Sequence, residues 1–110
     1  MARDILVSTP TARFSAPLGS EASVREYWSD PAGRLGLPLI ASVYERGFHE
    51  GISWSGAELD SVGSELDSLE NYWRQQPYGE DLAAQLGERC RNLREALRLA
   101  KEWNSALEIA

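Results

Sequence analysis

Cysteine occurs once in this chain, at Cys90, and histidine once, at His49. A single cysteine excludes an internal disulfide, and a chain without one suits a reducing, cytoplasmic setting. One His and one Cys do not make a set of zinc ligands, and there is no Glu-x-x-His pair or EF-hand loop. The nine glycines are scattered and form neither G-x-G-x-x-G nor a P-loop. No metal or cofactor is therefore expected. No apolar run approaches the ~18 residues of a membrane span. The opening MARDILVSTPTAR has a short apolar run without a small-residue cleavage site, so a signal peptide is not expected. Basic residues are also in deficit: 11 Lys and Arg stand against 17 Asp and Glu, a net charge of −6. No basic stripe with interleaved aromatics is present, which argues against nucleic acid and anionic membrane as partners.

What is present is ordinary globular composition. The chain is 43% hydrophobic and 25% charged over 110 residues, which predicts one folded domain, residues 1–110. The excess negative charge is concentrated in one quarter of the chain. Residues 45–70 hold Glu45, Glu50, Glu58, Asp60, Glu65, Asp67 and Glu70 against Arg46 alone, while the rest sums to zero. Such a field favours a basic partner, although a solvated helix face has the same composition.

The pattern along the chain predicts an α+β fold: a small N-terminal region with two or so strands, then a long antiparallel helical hairpin. Asp4 to Ser8 is partly β-branched and stopped by Pro10, which predicts a strand. Residues 11–19 show no clear period. Ser20 or Ser23 is placed to cap a short helix that Asp30-Pro31-Ala32-Gly33 would stop. Pro38 suits the first position of a short helix carrying Leu39, Ile40, Val43 and Tyr44, with a strand as the competing reading and Gly47 as its end. Ile52 to Trp54 predicts a short strand.

The clearest helix follows. Ser55-Gly-Ala-Glu58 is a capping box, and acids in the first turn suit the positive end of the helix dipole. Leu59, Val62, Leu66, Leu69 and Trp73 repeat at spacings of 3 and 4, an apolar seam for a partner element. After the QQPYG turn a last helix is predicted from Glu80 to Leu107, its apolar side formed by Leu82, Leu86, Cys90, Leu93, Leu97, Ala100 and Leu107. Its acids and bases alternate at spacings that let them pair along the helix.

No catalytic constellation emerges. His49 lies between Gly47 and Gly51, a loop position, and Cys90 falls on the apolar side of a helix, where free cysteine packs as a small hydrophobe. The chain is read as a non-enzyme, and a binding surface is what remains. Ala57, Ser61, Ser64 and Ser68 form a small-residue stripe opposite the leucine seam, flanked by Asp60, Asp67 and Asn71. The candidate partner-binding residues are Glu58, Asp60, Glu65, Asp67 and Glu70, with Tyr78 exposed in the turn at their edge. Trp54 and Trp73 are expected in the core.

The stretch LPLIASVYERGF followed by GISWSGAELDSVGSELDSLENYW, within Leu37 to Trp73, resembles the small immunity-type proteins of bacterial polymorphic-toxin and contact-dependent inhibition systems. In several of these a short apolar segment, a turn and an EL…EL..L helix follow in this order. The resemblance implies a cytoplasmic antitoxin that binds its cognate toxin and blocks the toxin's active site. Two other readings stay open: a self-assembling hairpin, a homodimer suggested by Leu99 turning away from the main seam, and a small enzyme using His49.

Overall fold

The computed structural model describes residues 2–45 and 51–110. It is an α+β fold in which a four-stranded antiparallel sheet is covered on one face by helices. Strand β1 (Ala2–Ser8) pairs with β2 (Arg13–Ser20), and the Thr9 hydroxyl accepts from Ala12 N at 2.9 Å to close the turn between them. Phe14, Ala16 and Leu18 of β2 alternate inward while Arg13, Ser15 and Pro17 face out. The sequence concealed this strand because Pro17 interrupts it. Proline is tolerated here because β2 is an edge strand, and Asn92 Nδ2 donates to the Pro17 carbonyl at 3.0 Å.

Ser20 caps the next helix, its hydroxyl accepting from Ser23 N at 3.1 Å. The expected stop at residues 30–33 does not occur. Helix α1 (Glu21–Ser23) runs through a π-helical segment, Val24–Ser29, into α2 (Asp30–Leu35). Pro31 causes the irregularity. It has no N–H for the carbonyl of Tyr27 four residues back, and the chain widens so that Asp30 N–H reaches the Arg25 carbonyl five back. The orphaned Tyr27 carbonyl accepts instead from the Trp73 indole Nε1 at 2.7 Å. Gly36, at φ +75°, ends α2, and Leu37 N–H bonds back to the Ala32 carbonyl. Pro38 then opens α3 (Pro38–Ala41), as expected.

Strand β3 (Ile52–Trp54) leads into α4 (Ala57–Arg74), and α5 (Glu80–Glu102) returns beside it. Asp60 meets Lys101 and Asp67 meets Arg94, seven residues forward on one helix for seven back on the other, so the pair is antiparallel. The seam residues Leu59, Val62, Leu66, Leu69 and Trp73 are all buried. Helix α5 lies on the sheet against β1, β2 and β4, while α4 packs on α5, α2 and α3.

Helix α5 is shorter than predicted. Asn104 takes the left-handed conformation at φ +50°, and Ser105 N–H and Asn104 N–H bond back to the carbonyls of Ala100 and Lys101. This is a Schellman closure with Asn in the glycine position. Leu107 is therefore not helical. It opens β4 (Leu107–Ile109), which lies between β1 and β3, so the sheet draws strands from both ends of the chain.

Candidate partner-binding surface

Glu58, Asp60, Glu65, Asp67 and Glu70 of α4 are the acids proposed from the sequence to meet a partner. The fold separates them. Gly56 occupies the N-cap at φ +58°, and Glu58 Oε1 accepts from Ser55 N at 3.4 Å, one half of the expected capping box. The other half is replaced: Glu58 N–H bonds to the Ser55 carbonyl rather than to its hydroxyl.

Glu65 is a correction. Its residue is 8% exposed, its Oε1 accepts from Ile40 N at 2.9 Å, and its Oε2 accepts from Leu39 N at 3.2 Å. It caps the start of α3 across the core, where an anion suits unsatisfied N–H groups. With both oxygens so used, it is not part of a partner-facing stripe.

Three acids remain at the surface in company with bases. Asp60, with its side chain 77% exposed, pairs with Lys101 Nζ. Asp67, 70% exposed, pairs with Arg94 Nη1 at 2.8 Å. Glu70 is half-buried; its Oε1 meets Arg94 Nη2 at 2.9 Å and Arg74 Nη2 at 3.4 Å. Arg94 thus bridges two carboxylates. Burial opposes its charge, but the hydrogen bonds it donates to Glu70 and Asp67 outweigh that and hold its pKa above the usual value. The alternating charges of α5 predict pairing along that helix, but the hairpin turns Arg94 and Lys101 towards α4. Arg98 does pair locally, with Glu95 and Glu102. Exposed pairs such as Asp60–Lys101 are worth about 0.2–1 kcal/mol, because water solvates both partners nearly as well. Ala57, Ser61, Ser64 and Ser68 are all exposed, on the side of α4 away from the seam.

Tyr78 is a second correction. It is half-buried, in edge-to-face contact with Tyr27 at 5.6 Å between ring centroids. Burial, then the neighbouring Tyr72, raises its phenol pKa. Around it gather Trp73, in edge-to-face contact with Trp28 at 4.8 Å, and Tyr72, whose hydroxyl accepts from Arg34 Nη2 at 3.3 Å. Trp54 and Trp73 are buried, as expected.

Beside this cluster, between the end of α4 and the start of α5, is a cavity of about 170 Å³. Trp73, Tyr78 and Leu86 supply its apolar surface, Ala83 and Gly87 its small wall, and Glu70 and Arg74 its polar side. Glu70 and Tyr78, two of the candidate residues, meet here. Gly87 was passed over in the sequence. A glycine inside a helix costs about 0.5–1 kcal/mol relative to alanine, which is a signal that something other than helix stability selects it.

Cys90 is buried, and desolvation, followed by the nearby Glu70 charge, pushes its thiol pKa up to about 11. At neutral pH it is a protonated core side chain, not a nucleophile. His49 lies outside the described residues. Among the described residues no group of three His, Cys, Asp or Glu is placed to hold a metal, and no helix is long and apolar enough to cross a membrane. Leu99, the ground for a second seam, is half-buried against the core; Leu35 is the one large apolar side chain left exposed among the described residues. No protein-family model, curated protein or solved structure matches this chain.

Proposed function

We propose that the chain is an immunity-type inhibitor: a non-catalytic cytoplasmic protein that binds and neutralises a basic toxin through the exposed acids of α4. The observation that carries this reading is the state of Asp60 and Asp67. Each pairs with a base from α5, yet their side chains remain 77% and 70% exposed. Pairs this exposed are weak, so an incoming Arg or Lys shares or replaces the internal base at little cost. The net charge of −6 supports attraction of a basic protein over long range. The resemblance of residues 37–73 to immunity-type proteins supports the same conclusion. Nucleases are one class of basic target, since they must hold a polyanion.

Tagged protein used as bait at low and high salt is expected to capture one basic protein that is released as salt rises. That protein, expressed alone, is expected to arrest growth, and co-expression of this chain to relieve the arrest. The double substitution Asp60→Lys/Asp67→Lys is expected to slow association by about tenfold at low salt and by much less at high salt. An on-rate unchanged at low salt would remove the electrostatic basis of the proposal, and a toxic partner that this chain does not neutralise would remove the inhibitor itself.

A further inference from the structure

An edge strand can accept another strand only where its backbone groups point out of the sheet, and the bonds of β1 show where those of β2 do. Asp4 and Ala110 exchange both backbone bonds, at 2.9 and 3.0 Å, so Asp4 and Leu6 turn their backbone groups to β4. Ile5 and Val7 turn theirs to β2, where their partners are Ala16 and Phe14. Thr9 N–H continues the alternation, bonding to the Ala12 carbonyl at 2.8 Å. Arg13, Ser15 and Pro17 therefore direct their backbone groups outward from an edge strand. Pro17 has no N–H, and its carbonyl is engaged by Asn92 Nδ2. What remains is one N–H and one C=O on each of two exposed residues, Arg13 and Ser15, with the half-buried Phe14 between them. The other edge offers less. Of β3 only Ser53 points outward, and beyond it both backbone groups of Ser55 are bonded to Glu58.

We infer that β2 pairs antiparallel with β2 of a second copy, about a twofold axis through Phe14, joining the two sheets into one. In this register Arg13 of each copy exchanges both bonds with Ser15 of the other. Four bonds then use every free group of the two edges and leave none over. An axis through Ser15 would instead set Arg13 against Pro17, whose missing N–H leaves each Arg13 carbonyl without a donor. The proline thus selects the register. Phe14 faces Phe14 of the second copy at a non-hydrogen-bonded pair, where Cα atoms come to about 4.5 Å and aromatic side chains meet. Charge fits a second copy as well. On the sheet face away from the helices the charged side chains, among the described residues, are Arg13, Asp4 and Glu108. The register sets Arg13 opposite Ser15 of the second copy rather than opposite another arginine, on a face whose other charges are acids. None of Asp60, Asp67 and Glu70 lies on β2, so the pairing does not rest on the inhibitor reading.

Two three-residue stretches bury less than the ~1,200 Å² of a standard interface, so the midpoint of association is expected at about 0.1–1 mM protein. Sedimentation equilibrium across that range should show monomer and dimer. Hydrogen exchange at the Arg13 and Ser15 amides should slow by about fivefold from the dilute to the concentrated end. Ser15→Pro removes one outward donor from each copy and no bond to β1, so it should raise the midpoint tenfold or more. Ser53→Pro, the same change on the other edge, should leave it unaltered. Under mild oxidation Phe14→Cys should form a disulfide between copies, since it stands opposite itself at a bridging distance, and Ser15→Cys should form none. Should Ser15→Pro lose its cooperative thermal transition, exchange in the unaltered chain and the disulfide pattern decide. A strict monomer at 1 mM, a dimer indifferent to Ser15→Pro, or cross-linking through Ser15→Cys in place of Phe14→Cys overturns the inference. Protection of Arg13 and Ser15 that comes only with the captured basic protein also overturns it, and assigns the edge to a strand of that protein.

Discussion

Glu65 sits among residues that read as a solvated acidic face, yet it is the most buried acid of α4. The signal was in its spacing. It stands three residues after Val62 and four before Leu69, which places it on the seam side of the helix. What spacing did not reveal is its pair of donors, because Leu39 and Ile40 come to it from a different helix. Removing the carboxylate leaves the buried Ile40 N–H without an acceptor, and an unsatisfied buried donor costs about 1–3 kcal/mol. Glu65→Ala is therefore expected to lower unfolding stability by about 2–3 kcal/mol, and Glu65→Gln, which keeps one acceptor oxygen, by about half of that. Asp60→Ala, at an exposed pair, should cost less than about 1 kcal/mol. Urea unfolding of the three variants measures the order; a loss in Glu65→Ala no larger than in Asp60→Ala would show that the cap contributes nothing.

At the level of elements, amphipathic spacing made α4 and most of α5 legible, since an apolar side chain every three or four residues has one helical solution. Irregular elements were not legible. Pro31 reads as a helix stop, and it would be one if the carbonyl it orphans had no other donor. Trp73, forty-six residues further on, supplies that donor and lets the chain continue through the π segment. This arrangement predicts a coupling. Trp73→Phe strips the donor from the Tyr27 carbonyl and should cost about 1–3 kcal/mol. Pro31→Ala restores an N–H four residues from that carbonyl. The double variant is accordingly expected to lose about 0.5–1.5 kcal/mol less than the sum of the single losses. Strict additivity in a double-mutant cycle would mean that the proline and the indole act independently. The end of α5 was misread for a related reason: Leu107 continues the helical period, but Asn104 reverses the chain three residues earlier, and asparagine is a weaker stop signal than glycine.

For the whole molecule, the consequential element is a three-residue strand. Strand β4 contributes Leu107 and Ile109, both buried, and lies between β1 and β3. Without it β3 has no neighbour and β1 loses one of its two, and removal of residues 107–110 also takes the paired backbone bonds between Asp4 and Ala110, at 2.9 and 3.0 Å. Removal of residues 107–110 is expected to abolish cooperative unfolding rather than to trim stability, because the cost of two buried aliphatic side chains, about 2–5 kcal/mol each, is comparable to the whole stability of a small domain. A sharp thermal transition in the shortened chain would show that the strand is dispensable. Charge is also reorganised at this scale. Asp60, Asp67 and Glu70, three acids close together in sequence, are interleaved in space with Arg94 and Lys101, so this face of the hairpin is mixed in charge.

The amino-acid sequence by itself determined what depends on neighbours within a few residues: the two long helices and their seam, the strands at Asp4–Ser8 and Ile52–Trp54, the Pro38 helix start, the burial of Trp54 and Trp73, and the net charge. Tertiary structure alone decided which acids face solvent, whether Tyr78 is free, where the last strand goes, and which residues line the cavity beside Tyr78. The division has a physical basis. Periodicity and capping are local and act through the backbone, whereas burial of a carboxylate, pairing of a strand and the shape of a pocket each require a partner from distant sequence, brought near only when the core closes.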